Sequence, residues 1–505
     1  MNIKKYVLLF LLSICFPAYS VSDELSSQTP AKYVILVIGD AMHLTHETAA
    51  SRFLTGTGRG LVWHTFEYQT FVTTWDINTY NHYAKSLGKP PYAPESFDPN
   101  IGYDPLQGGA RPYPLEMPLD DSYFLDTLNE RLDNLTFSDR IPATDSAASA
   151  TAMATGTKVY RGTVAWHASS GKSGALPSIC ETLRQHGAAI GIVTSDPFCH
   201  ATPAAFVSHN RDRMHYYSLT SHQYGIGIAD EILAFTRPDV VISGGHPHLN
   251  NPKFKPRKGY ISKRLYEQMK QSAEYVFVEY KPEHNGALEL KNAAERAVRE
   301  KKKLFGLFGE KNGCIPLPQV QSDNDTISIT MESTEHPSLA DAAVAALTVL
   351  RTHPRGFFLM VEQGGIDHSN GTNNYRNMIR AVCDLNTTVC AIIDFVNQPD
   401  DELDWDTVLL VVTSDHAGGY IRFNKDIPLK KGILPEQKLE KGKWVFPNKE
   451  LSYGTKHHTN ELVSLYAKGA RTAVFAGFEG KWYPHTRIID NTHIYHALKQ
   501  AASVK

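Results

Sequence analysis

Three hydrophobic runs, far apart in the chain, each end at carboxylates or histidine, and no other feature limits the possible folds so strongly. Lys32-Tyr33-Val34-Ile35-Leu36-Val37-Ile38-Gly39 runs into Asp40, Phe357-Phe358-Leu359-Met360-Val361 into Glu362 with Asp367 beyond, and Thr407-Val408-Leu409-Leu410-Val411-Val412-Thr413-Ser414 into Asp415-His416. Continuous apolar stretches rich in Val, Ile and Leu read as strands covered on both faces. The expected fold is therefore α/β, a large and mostly parallel central sheet with helices on both faces. Open sheets of this class bind ligands outside the carboxyl ends of their strands, so acids at three such ends converge on one crevice. Crowded carboxylates repel or take up protons unless cations hold them, and a mixture of Asp, Glu and His suits Zn2+ and Mg2+. A single Asp after a strand is most often a turn or cap residue; three together make that reading a poor one.

A second segment points to anion chemistry. Ala143-Thr144-Asp145-Ser146-Ala147-Ala148-Ser149-Ala150-Thr151-Ala152-Met153-Ala154-Thr155-Gly156 reads as a helix of tiny side chains with Asp145 as its N-cap and Ser146 just inside. Small residues let the backbone lie close to neighbours or to a ligand, and a helix start offers free N–H groups and a positive dipole end to an anion such as phosphate. Taken alone, the run reads equally well as a packing helix.

With these features in order, the chain resembles the alkaline phosphatase family from about Val34 to Lys468. Ile38-Gly39-Asp40-Ala41-Met42 is similar to the family's opening turn, and Thr144-Asp145-Ser146-Ala147-Ala148 to its nucleophile segment. The blocks Gly191 to Ser195, His200 to Phe206 and Ser208 to Arg213 continue the match. The resemblance implies Ser146 as nucleophile and Arg213 as the phosphate-gripping arginine, with Arg211 the weaker choice. It also implies two zinc ions and one magnesium: Asp40, Asp415 and His416 at one zinc, Asp367 and His458 at the other, and Asp40, Thr202 and Glu362 at the magnesium. His200 is expected behind the magnesium ligands rather than on an ion. Adjacent residues on an extended segment point to opposite sides, so only one of His457 and His458 is expected to face the metal, and Thr459 after it, as in the family's segment, favours His458. The family's usual second histidine after the aspartate matching Asp367 would fall at Gly371, which cannot ligate; Asn370, Asn373, His43 and His46 stay open as substitutes. Ala41 and His43 replace the glycines usual after the bridging aspartate.

The expected activity is phosphate monoester hydrolysis through a phosphoserine. Phosphate dianions repel nucleophiles, and two metals about 3.5 to 4 Å apart can neutralise that charge and stabilise both the entering and leaving oxygens. A phosphodiesterase or phosphonate hydrolase on the same fold is the nearer alternative, and a non-catalytic phosphate- or metal-binding protein the more distant one. The modified-nucleophile signal Cys-x-Pro-Ser-Arg of sulfatases does not occur.

The 505 residues carry a formal net charge of −2, with 21% charged, which gives no basic surface for nucleic acid. The motifs span most of the length, so a single domain over 21–505 is expected, with insertions near 76–140 and 418–455. The first is rich in Tyr, Pro, Gly and Asn, including Tyr80, Tyr83, Tyr92, Tyr103 and Tyr113. Lys4-Lys5, an apolar run from Val7 to Phe16 and the small residues Ala18 and Ser20 read as a secretory signal peptide over 1–20. An exported protein, periplasmic or secreted and without stable membrane insertion, is expected, with small-molecule phosphate monoesters as substrates; a homodimer is what the family implies. Five cysteines then remain, so at least one is unpaired. Arg299-Glu300-Lys301-Lys302-Lys303 reads as a solvated helix end.

Overall fold

The computed structural model describes residues 29–104, 143–169, 172–218, 226–253, 255, 259–323, 326–399, 402–424, 426–441 and 443–504. The expected leader, Tyr113 and residues 105–140 of the first insertion lie outside the described residues. Ten described strands form one sheet: β1 (Tyr33–Gly39), β2 (Tyr68–Thr73), β3 (Ala189–Pro197), β4 (Val240–Gly244), β5 (Tyr275–Glu279), β6 (Lys303–Leu307), β7 (Phe357–Gln363), β8 (Val408–Thr413), β9 (Val463–Gly469) and β10 (Ile488–Asp490). Their order across the sheet is β10-β2-β9-β8-β1-β7-β3-β4-β6-β5. Only β9 runs against its neighbours, pairing antiparallel with β8 and β2.

Burial on both faces explains the unbroken hydrophobic runs. Tyr33, Ile35 and Val37 enter the apolar cluster on one side of the sheet, and Val34, Leu36 and Ile38 the cluster on the other. Each such side chain, fully buried, contributes about 1.5 to 3 kcal/mol. The covering helices are α1 (Leu44–Thr55), α2 (Ser146–Thr155), α3 (Ala201–Val207), α4 (Gly286–Glu300), α5 (Leu339–Leu350), α6 (Gly365–Asn370), α7 (Tyr375–Val396) and α8 (Asn491–Ala501). α1, α4, α5 and α7 share the first face, while α2, α3 and α8 share the second.

The tiny side chains of α2 now have a reason. Every residue from Ser146 to Thr155 is buried, because the helix lies between α3 and α8 with no solvent face. Gly156 ends it at a left-handed φ of 69°, and a Cβ there would stand 2.7 Å from Tyr495 Cδ1. Just beyond, the buried Lys158 Nζ lies 2.8 Å from Asp490 Oδ2 and 4.1 Å from the centre of the Trp75 ring.

The described part of the first insertion is an aromatic cover over the β2/β10 edge. Trp75, Tyr80, Tyr92, Phe97 and Trp482 pack ring on ring, with neighbouring centroids 5.0 to 5.8 Å apart. The second insertion folds into short hairpins that lend Leu429, Phe446 and Leu451 to the core face shared by α1 and α7. The reading of Arg299 to Lys303 as one solvated helix end needs correction. α4 stops at Glu300, Lys301 turns the chain at a left-handed φ of 53°, and Lys303 already opens β6, half-buried with Nζ 3.5 Å from Asp239. The crossover is so short that the lysine run straddles it. Among the described residues no helix is long and apolar enough to cross a membrane.

Candidate active site and metal centre

β1, β7 and β8 lie side by side, with Ile38 in register with both Glu362 and Thr413. Asp40 follows the end of β1, Glu362 sits in the last turn of the β7 pleat, and Asp415-His416 follow β8, so the sheet itself brings the four together. The connection is stitched by backbone: Ala41 N–H donates to Asp415 Oδ1 at 3.0 Å and Met42 N–H to Ser414 Oγ at 2.9 Å. Ala41 adopts a left-handed φ of 61°, where glycine would carry no strain.

Two groups of ligand atoms form here. In the first, His416 Nε2 lies 3.3 Å from both Asp40 Oδ1 and Asp415 Oδ2, all three residues being buried. Burial holds the His416 imidazole below its usual basicity, and its Nδ1 faces the Ala417 carbonyl at 3.3 Å. The Nε2 lone pair is thereby turned on two carboxylates, an arrangement that is repulsive without a cation and well suited to one. The second group joins Asp367, His458 and the same His416. His458 Nε2 is 3.4 Å from Asp367 Oδ1, while its Nδ1 faces the Thr144 carbonyl at 2.9 Å and its ring stacks on His416 at 3.7 Å. A two-residue strand pairing His458 with Gly418 sets that position; His457 beside it is exposed.

Thr202, the second residue of α3, stands with its hydroxyl beside Glu362. Glu362 Oε2 accepts from Thr194 Oγ1 at 2.5 Å. Burial, and then the neighbouring Asp196 charge, push the Glu362 carboxyl up to about 8. Burial, followed by Asp415 and Asp367, pushes Asp40 well above the carboxylate range. Asp40 Oδ1, Asp415 Oδ2, Glu362 Oε1 and Thr202 Oγ1 are all buried without a hydrogen-bond partner among the described groups. Buried oxygens of this kind cost free energy unless satisfied, and cations satisfy all four together. The donor set therefore fits the metals expected from the sequence.

Asp145 caps α2 through the Ala148 N–H at 3.0 Å, and Ser146 follows with its Oγ 3.2 Å from His416 Nε2. Asp145 also holds Arg213, whose Nη1 lies 2.9 Å from its Oδ2. Burial alone would raise the Asp145 carboxyl, but Arg213 and the Ala148 and Gly162 N–H groups hold it below its ordinary value. Arg213 Nη2 reaches His200 Nε2 at 3.5 Å, and His200 Nδ1 lies 3.1 Å from Asp196 Oδ2, so His200 stands behind the arginine. Arg211 is elsewhere, over the Trp166 ring at 5.2 Å.

Of the four open substitutes for the Gly371 ligand, neither His43 nor His46 joins the second group. His43 Nε2 is 3.7 Å from Glu461, and His46 Nδ1 accepts from the His43 N–H at 2.8 Å. Asn370 donates to the Ala41 carbonyl at 3.3 Å, and Asn373 turns the chain after α6 at a φ of 54°. Sequence reasoning missed Asp196 and the second duty of Asp145. Asp196 carried the same signal as the other acids, a carboxylate closing an apolar run, one residue after Ser195.

The alkaline phosphatase family model matches residues 121–441, more than half of the 505-residue chain. The chain belongs to the alkaline phosphatase family. It is 25% identical over 519 residues to the alkaline phosphatase of Escherichia coli (strain K12), covering 96% of this chain and 89% of that one. Alkaline phosphatase 4 of Bacillus subtilis is 28% identical over 278 residues, and there the match spans 55% of this chain and only half, 50%, of the relative. The solved alkaline phosphatase of the Antarctic bacterium TAB5 shares the fold, with a TM-score of 0.57 at 16% identity over 95% of this chain and 100% of that one. That of Thermus thermophilus gives 0.58 at 18%, over 97% and 96%. As a member of the alkaline phosphatase family, the chain is a phosphoryl hydrolase of a metal-dependent class acting on small phosphate esters.

Proposed function

We propose that this protein hydrolyses phosphate monoesters through a phosphoserine on Ser146. The observation that carries the reading is the position of Ser146 Oγ at the start of α2, 3.2 Å from the histidine common to both ligand groups and beside the Asp145–Arg213 pair. Two zinc ions, one held by Asp40, Asp415 and His416 and one by Asp367 and His458, with magnesium at Asp40, Thr202 and Glu362, would supply Lewis acidity to the entering and leaving oxygens. Arg213 binds two non-bridging phosphate oxygens through its planar fork, held at the right angle by Asp145. The first N–H groups of α2 add their dipole to the same anion. Ser146 Oγ bonds to phosphorus as the ester P–O bond breaks and the alcohol leaves. Water then attacks phosphorus, releasing phosphate and restoring the hydroxyl.

The test is hydrolysis of p-nitrophenyl phosphate beside bis-p-nitrophenyl phosphate at alkaline pH, with metal-stripped protein reloaded with Zn2+ and Mg2+. Monoester turnover that disappears in Ser146→Ala supports the proposal. Preference for the diester would replace it with the diesterase reading, and no turnover on either ester with metals bound would leave a binding protein. The same reading takes residues 1–20 as an export leader, so the mature protein is expected to begin at Val21 on N-terminal sequencing of the exported material.

A further inference from the structure

A third group of ligand atoms borders the site already described, sharing with it Asp196, whose Oδ2 also lies 3.1 Å from His200 Nδ1. Asp196 at the end of β3, Cys314 in the loop after β6 and His368 in α6 bring their donor atoms together. Cys314 Sγ is 3.3 Å from Asp196 Oδ1 and 3.6 Å from His368 Nε2, and that nitrogen is 3.1 and 3.0 Å from the two Asp196 oxygens. Donors on a tetrahedral zinc ion, with bonds of about 2.0 to 2.3 Å, stand about 3.3 to 3.8 Å apart. The three atoms are thus close to that spacing, and small outward shifts complete it.

We propose that Asp196, Cys314 and His368 form an additional binding site for a thiophilic divalent cation of the zinc class. The scaffold is fixed in advance by backbone contacts. Ile315 N–H donates to the Ser195 carbonyl at 2.7 Å, Gly245 N–H to the Gly313 carbonyl at 2.6 Å and Glu310 N–H to the Cys314 carbonyl at 2.8 Å, so the Cys314 loop is tied to β3 and β4. On the other side, Gly364 lies so near the Asp196 carboxylate that a Cβ there would stand 2.4 Å from Oδ1. The buried Asp196 supplies the inner donor, while His368 is exposed and Cys314 half-exposed, which leaves an entry path and an open coordination position. Thiolate, carboxylate and neutral imidazole together balance the charge of a divalent ion, and the thiol and the imidazolium each give up a proton on binding. The rival reading, a nucleophilic thiol, fits poorly. Burial and the Asp196 charge push the Cys314 thiol up to about 12, so without a cation it is mostly protonated, slow to alkylate and ill suited to nucleophilic catalysis.

The phosphatase ligand groups contain no sulfur, which makes the new site spectroscopically separate. Metal-stripped full-length protein is titrated with Co2+ and read for a thiolate-to-metal charge-transfer band in the near ultraviolet. Wild type is expected to show the band as Co2+ fills its sites, to lose it on adding Zn2+, and Cys314→Ser to lack it while binding one cobalt fewer. As a second reading, Zn2+ is expected to slow alkylation of Cys314 by iodoacetamide at least tenfold, measured by peptide mass spectrometry. The proposal is overturned if Co2+ binds without the band, if the band persists in Cys314→Ser, or if Zn2+ leaves Cys314 alkylation unchanged.

Discussion

At Gly371 a single residue decides how firmly a metal could be held. A Cβ there would meet only the Asp367 and His368 carbonyl oxygens, at 3.5 and 3.8 Å, and the backbone is helical at φ −58°. Gly371→His is therefore expected to be accepted without strain and to tighten Zn2+ binding beside Asp367 and His458 by about tenfold or more, equivalent to about 1.4 kcal/mol. Isothermal titration against metal-stripped protein checks this. Arg213 offers the complementary case, where charge is not enough. Its fork is held by Asp145 on one side and lies against His200 on the other. Arg213→Lys keeps the charge and loses the planar, two-pronged grip, so kcat/KM for p-nitrophenyl phosphate is expected to fall about 100-fold, the order found when one transition-state donor is removed. An unchanged kcat/KM would show that Arg213 does not touch the phosphate.

Among the elements, the segment that carries Arg213 depends on a clamp four residues upstream. His209 Nδ1 lies 2.8 Å from Glu231 and Nε2 3.3 Å from Glu181, with the Leu176 carbonyl also at 3.2 Å. Acceptors surround both ring nitrogens, so the ring is held as the imidazolium. Burial opposes that charge, yet the Glu181 and Glu231 contacts outweigh it and raise the group from 6.5 to about 10. A raised folded-state value stabilises the fold fully below the unfolded value of 6.5 and loses its effect as pH climbs toward 10. His209→Gln is expected to destabilise by about 2 kcal/mol at pH 6, with the gap to wild type closing between pH 6.5 and 10 in urea melts at successive pH values. A gap that stays constant with pH would mean that packing, not charge, holds the segment. α2 is anchored more tightly: Ser149 Oγ donates to the Asp415 carbonyl and itself accepts from Asn491 Nδ2 at 2.9 Å, which locks the helix that begins at Ser146 to the end of β8 and to α8.

For the whole molecule, the ligand groups tie distant parts of the sheet together, so metal and fold should be linked. Asp40, Glu362, Asp415 and Asp367 crowd one crevice, and the first two already sit far above their ordinary carboxyl values. Chelation is expected to lower the thermal midpoint. Reloading at a hundredfold excess over Kd should restore about 2.7 kcal/mol for each site that binds only the folded chain. Equal melting with and without metal would show that these carboxylates manage by protonation instead. Much of this molecule is legible locally. Apolar period and length marked β1, β7 and β8, the acids at their ends marked the crevice, and the small residues behind Asp145 marked α2, because each of these signals lies within a few neighbouring residues. The sequence also carried the family's order of motifs. What it could not carry were contacts decided by strand order. β3 lies next to β7 only in the folded sheet, and that adjacency brings Asp196 to His368 and, through the β6 loop, to Cys314, 118 positions away. The pairing of Gly418 with His458 likewise stacks His458 on His416 and makes one histidine common to both groups. Local chain chemistry determined which residues end strands and cap helices; the tertiary structure decided which of them meet, since side-chain donors from separate elements acquire distances only once the sheet has set their neighbours.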